Sequence, residues 1–176
     1  MKISLIQPGR NNLKYLKWEW CQDMMDADPN FKAIRNEGPT RLGHTILYDR
    51  LVNEVATNDI CMIYHADMYL CPGALDSIEW NLKPKTIVSL TRIEPPLHPP
   101  GPEKIIQDFG IEPEEFNEDK LLEWMMWSKP KRINKTTEGI FAPWAFYKKD
   151  FQEIGGHDEL YAPQSKEDSD IFNRFL

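Results

Sequence analysis

The residues best suited to chemistry in this chain are carboxylates and a histidine standing where regular structure breaks. His65, Ala66 and Asp67 follow the apolar run Ile60-Cys61-Met62-Ile63-Tyr64, and Glu167-Asp168-Ser169-Asp170 opens a periodic segment after an irregular one. An Asp at the end of a central strand can hold a hard divalent cation against phosphate oxygens. The second segment places several carboxylates near a helix N-terminus. Gly155-Gly156-His157-Asp158-Glu159 places two glycines, an imidazole and two acids in one turn shortly before that helix. Each segment has a plainer use, since Asp forms turns and acids in a first helical turn complement the helix dipole. Their combination is what points to a site.

A second chemistry is open to the histidines. His44, His65, His98 and His157, with Asp67 and Asp158, could compose a metal hydrolase centre for zinc or iron. No HxxxH, HExxH or HxH spacing joins them, and a lone histidine is more commonly structural. Lys129, Lys131 and Arg132 make a basic patch that reads as solvated surface. Trp124, Trp127 and Trp144 read mainly as core, although an exposed one could stack on a sugar ring.

The elements that must position these residues follow from hydrophobic periodicity. Residues 2–6 read as a buried strand broken by Gln7-Pro8-Gly9, and 13–27 as a helix carrying Leu16, Trp20 and Met24 inward. A short strand is expected over 31–35 and a second helix over 43–56. The run at 60–64 has the continuous apolar pattern of a central strand covered on both faces. A helix over 72–82 and a strand over 86–91 come next. Strands alternating with helices predict an α/β layered fold with a mainly parallel sheet. Five prolines between Pro95 and Pro102 force an extended loop, after which helices are expected at 103–109 and 118–128. A strand over 139–147, a helix over 148–154 and a helix from Glu167 onward complete the reading.

Composition narrows the function classes. The chain has 176 residues, 41% of them hydrophobic and 28% charged, which predicts one soluble globular domain over 1–176. A net charge of -7 disfavours a nucleic-acid binder, which needs a basic face against phosphates. No apolar run approaches the roughly 18–20 residues that cross a bilayer, and the start is too short for a signal-peptide core. Cys21, Cys61 and Cys71 form no CxxC pair, so a disulfide scaffold is not expected and a reducing cytoplasm fits. Cys61, inside the apolar run, reads as core.

The order of these segments resembles the family 2 glycosyltransferases of GT-A fold, from the KISLIQPGRNN opening to the Glu167-Asp168 helix. An aromatic-tailed strand leads through the helix of KKDFQEI into Gly155-Gly156-His157-Asp158-Glu159, similar to the family's GG(F/H)DE turn, and the ED motif follows. His65-Ala66-Asp67 stands where that family carries Asp-x-Asp. The resemblance implies a Rossmann-like three-layer α/β/α architecture and transfer of a sugar from a nucleoside-diphosphate sugar to a glycan or other hydroxyl acceptor, with inversion.

It also implies residue roles. Asp67 would hold Mn²⁺ or Mg²⁺ against the donor diphosphate, and Asp168 would be the general base. Glu167 would orient the acceptor, Gly155 and Gly156 would let the backbone approach the sugar, and His157 and Asp158 would line the same turn. Pro8 and Asn11 match a nucleotide-side loop, Glu37 stands in for an Asp-Asp-Gly-Ser signature, and His65 replaces the first Asp of the metal motif. These replacements leave a non-catalytic GT-A-like domain that binds a nucleotide or glycan as the alternative. Members of the family continue past the ED helix, so a longer natural product is expected.

Overall fold

The computed structural model describes residues 2–9, 34–35, 43–65, 68–97, 104–128, 142–162 and 166–175. The helix expected over 13–27 lies outside them. The chain forms two compact units, residues 1–89 with 139–176, and residues 90–138.

The first unit is built on a four-stranded sheet in the order β1-β4-β8-β5, with β1 at Ile3–Ile6, β4 at Ile60–Ile63, β5 at Val88–Ser89 and β8 at Trp144–Tyr147. A separate short parallel pair joins β2, Pro8–Gly9, to β3, Ile34–Arg35. β1 and β4 are parallel, whereas β8 is antiparallel to both β4 and β5. The sheet is therefore mixed. A mainly parallel sheet was expected; β1, β4 and β5 do run one way, but β8 lies between β4 and β5 and runs opposite to both, so two of the three described ladders are antiparallel. Apolar content fixes that residues form a strand but carries no sign of its direction.

β4 is buried along its whole length, as the run ICMI requires of a central strand. Alternation sends Cys61 and Ile63 to one face with Trp144 and Phe146, and these pack with Tyr48, Leu51, Val52, Phe151 and Ile171 into one core. Leu5, Met62 and Ala145, on the other face, are buried as well. The helices over the first face are α1, Gly43–Arg50, which continues as a π-helical turn over Leu51–Val55; α4, Lys148–Glu153; and α5, Glu167–Phe175. α2, Ala74–Asn81, buries Ile78.

Side chains of α4 lock its position. Lys148 donates its backbone N–H to the Asp59 carbonyl and its Nζ to the Ala56 carbonyl, at 2.8 and 2.9 Å. The buried Asp150 accepts the Lys85 backbone N–H at 2.5 Å, tying α4 to the turn that precedes β5. Phe151 stacks on Phe146 with ring centroids 4.8 Å apart. These contacts leave little freedom for the turn that follows.

In the second unit β6, Arg92–Glu94, pairs in parallel with β7, Lys104–Ile106. A helix was expected over 103–109. Two consecutive isoleucines favour a pleated strand, and a segment this short carries too few turns for helical spacing to compete. Glu94 accepts from both Arg92 and Lys104, at 2.9 and 3.0 Å, holding the pair together. α3 spans Glu118–Ser128 as the sequence predicts, capped by Asn117 Oδ1 accepting the Lys120 N–H at 2.8 Å. Trp124 packs on Phe109 at 5.7 Å, and Trp127, expected in the core, is 76% exposed. Among the described residues no helix is long and apolar enough to cross a membrane.

Candidate functional site

The register Ile6–Ile63–Trp144–Ser89 runs straight across the sheet and marks the carboxyl ends of β1, β4 and β5. In an open α/β sheet this edge is where ligands bind. Gln7 and His65 follow β1 and β4 there. Gln7 is buried, and among the described residues its Nε2 has no hydrogen-bond partner. The buried Thr45 in α1 likewise has no partner for its Oγ1 among them. A shallow hollow of about 320 Å³, lined by Lys2, Thr57, Asn58, Asp59, Ile60 and Tyr147, lies at the opposite end of β1 and β4, away from the candidate residues.

α4 ends at Gly155 and Gly156, both with left-handed backbones, φ +85° and +71°. Only glycine adopts this conformation without cost, so the pair turns the chain sharply back toward the sheet. The two differ in what surrounds them. A side chain on Gly155 would meet open space, whereas a Cβ on Gly156 would lie 2.4 Å from Asp49 Oδ2. The close approach permitted by Gly156 is thus taken up by Asp49 of α1.

That approach places His157 directly on Asp49. The His157 backbone N–H donates to both carboxylate oxygens, at 3.2 and 3.1 Å, and the ring Nδ1 lies 2.7 Å from Oδ1. The imidazole is fully buried, with ring centroids 5.7 Å from Tyr48, 5.4 Å from Phe151 and 6.3 Å from Trp144. Among the described residues His157 Nε2 has no hydrogen-bond partner. Expected to line the donor or acceptor, His157 instead faces the interior.

Asp158 also turns away from that expectation. It is exposed, and its Oδ1 accepts the Leu160 N–H at 2.9 Å, capping the short 3-10 turn Glu159–Tyr161. α5 then begins with Glu167, which is buried, and Asp168, which is partly so. Trp144 lies edge-on to Phe172 at 5.3 Å, fixing the helix against the same end of the sheet as His157. Burial pushes the Asp168 carboxyl up to about 6; the neighbouring Glu167 adds to the rise, and the His157 charge draws it back. A carboxyl with its midpoint near neutrality is well suited to exchange a proton with a ligand.

The structure gathers Gly156 and His157 around Asp49, which sequence reasoning missed, and the charge of His157 acts on Asp168. Pro8 contributes backbone to the β2–β3 pair opposite Ile34. Asn11, Glu37 and Asp67 lie outside the described residues, as does His98. Cys61 is buried in the core as expected. For the implied divalent cation, no three His, Cys, Asp or Glu side chains gather among the described residues, and of the implied ligand motif His65 is the residue described, just after β4. No protein-family model matches the chain, and no curated protein matches it either.

Proposed function

We propose that the chain is a GT-A-like glycosyltransferase domain that moves a sugar from a nucleoside-diphosphate sugar to a hydroxyl acceptor, with inversion. The observation that carries this reading is the partly buried Asp168, with its carboxyl raised to about 6, at the start of a helix packed against the carboxyl end of the sheet. Asp168 accepts the acceptor hydroxyl's proton while that oxygen bonds to the anomeric carbon. The anomeric bond to the diphosphate breaks, and its electron pair leaves on the diphosphate oxygen. Glu167, beside it, orients the acceptor, and Arg174 of α5 donates to the Ile154 carbonyl at 3.0 Å, just before the glycine turn. A divalent cation held through Asp67, when bound, supplies Lewis-acid neutralisation of the leaving diphosphate.

A base works only in its ionised form, so turnover should rise with pH through about 6 and level off above it. The measurement is release of nucleoside diphosphate from UDP-, GDP- and CDP-sugars with a panel of hydroxyl acceptors and Mn²⁺, from pH 5 to 8. A rate that falls as pH rises through this range would remove Asp168 as the base.

A further inference from the structure

Helical spacing sorts the side chains of α5 into two neighbouring stripes. Asp168, Phe172 and Phe175 follow at i, i+4 and i+7, with Phe172 edge-on to Trp144 at 5.3 Å and Phe175 edge-on to Phe146 at 6.5 Å. Glu167, Ile171 and Arg174 repeat that spacing one residue earlier, and Glu167 and Ile171 are buried. Apolar packing is non-directional, so it holds the helix on the sheet without fixing its rotation or its slide. A shift of one residue moves Asp168 about 1.5 Å along the axis and about 100° around it. Arg174 supplies the directional contacts. Its Nη1 donates to the Ile154 carbonyl at 3.0 Å, and its Nη2 lies 2.6 Å from Asp170 Oδ2 as an ion pair one turn back along α5. The Ile154 carbonyl closes α4, where carbonyls lack a partner within their own helix and favour a cation.

We propose that Arg174 is a positioning residue for Asp168: held by Asp170 on one side and by the Ile154 carbonyl on the other, its guanidinium bolts α5 to the end of α4 and so fixes which way the first turn of α5 faces. The proposal rests on the reading of Asp168 as the base. Asp170 acts through Arg174, since the ion pair sets the direction of the side chain before it reaches Ile154. A planar guanidinium presents its donors in a fixed fork and can engage both partners at once, which a single ammonium does less well. The far end of the tie is itself fixed. Lys148 anchors α4 on the Asp59 and Ala56 carbonyls, and Asp150 anchors it on the Lys85 N–H. Packing alone asks only for the apolar stem of Arg174, which a glutamine largely supplies.

The test follows the Asp168 carboxyl of the full chain by NMR, with isotope-labelled aspartate and the signal identified by its loss in Asp168→Asn. Burial is the largest influence on this group, so a first turn that loosens toward water lowers its midpoint. The wild type should titrate at about 6, and Arg174→Gln should titrate lower by on the order of one pH unit. Glu167, which adds to the rise, and His157, which draws it back, are the same in this variant. Loss of a cation, like the unpaired Asp170 it leaves, would by charge alone move the midpoint upward, so the sign separates positioning from charge. An unchanged or raised midpoint, whatever happens to the melting temperature, overturns the proposal. If Arg174→Gln does not fold, the wild type decides. Nitrogen-labelled arginine should show separate signals for the Arg174 Nη hydrogens, as in a guanidinium held on both sides; a single averaged signal overturns the clamp. Neither readout needs a substrate. A failure here leaves the transferase reading standing, and a failure to bind nucleotides leaves the clamp standing.

Discussion

Asp168→Asn is expected to lower sugar transfer by roughly 10²–10⁴-fold, the usual loss when a positioned general base is removed, while nucleotide binding stays unchanged. The amide keeps the shape of the carboxyl and cannot take a proton from the acceptor. The same substitution should make the protein more stable at neutral pH. Asp168 has a folded midpoint of about 6 against an ordinary value of 3.8, so between those values the folded state binds the proton and the unfolded state does not. Stability contributed by this group is then present at low pH and lost as pH rises through the folded midpoint. Above pH 6 the ionised carboxylate is a burden on the order of 2 kcal/mol, after discounting for its partial exposure. Asp168→Asn removes that burden at pH 7.5 and gives little gain at pH 4. Urea unfolding at the two pH values reads the difference. An activity loss with no pH-dependent gain in stability would mean that the carboxyl is not held in the buried state described.

Gly156→Ala carries the largest expected loss of stability in the site. Its backbone sits at φ +71°, where an L side chain costs about 1–2 kcal/mol, and its new Cβ would lie 2.4 Å from Asp49 Oδ2 and 3.2 Å from Phe151 Cε1. Asp49 must move, and the contacts from the His157 main chain and ring break with it. Hydrogen bonds to a charged group contribute roughly 1.5–3 kcal/mol, so the combined loss is about 2.5–5 kcal/mol. Gly155→Ala has comparable backbone strain at φ +85° but meets nothing within 4 Å, and it should cost only about 1–2 kcal/mol. Equal losses from the two variants in denaturant unfolding would show that backbone strain alone, and not the fit of Asp49, makes Gly156 necessary.

These two positions show what was legible in the sequence. Gly155-Gly156 followed by acids marks a sharp turn from residue type alone, and Glu167-Asp168 marks a helix start through dipole chemistry; both are where they were expected. Ile60-Cys61-Met62-Ile63 was readable as a central strand because burial on both faces forces a continuous apolar run. Asp49 was not readable. Its partner is 108 residues away, and within α1 it looks like any acid on a helix surface. The one available signal was its place between Tyr48 and Leu51, on the edge of the apolar stripe. His157 was assigned to a ligand-facing role because local motif order cannot show that the turn directs its ring inward. The reversal of β8 and the parallel pairing of β7 escaped for a similar reason, since strand direction and pairing depend on long-range packing rather than on local composition.

The most direct test of the central claim is a thermal-shift measurement with UDP, GDP and CDP, each with and without Mn²⁺. A domain that holds a nucleoside-diphosphate sugar through a divalent cation should be stabilised by at least one nucleotide and more strongly with Mn²⁺ present. At a nucleotide concentration 100 times the dissociation constant, mass action gives about 2.7 kcal/mol, a shift of several degrees. No stabilisation by any of the three nucleotides, with Mn²⁺ or without it, would contradict the assignment of this chain as a glycosyltransferase domain.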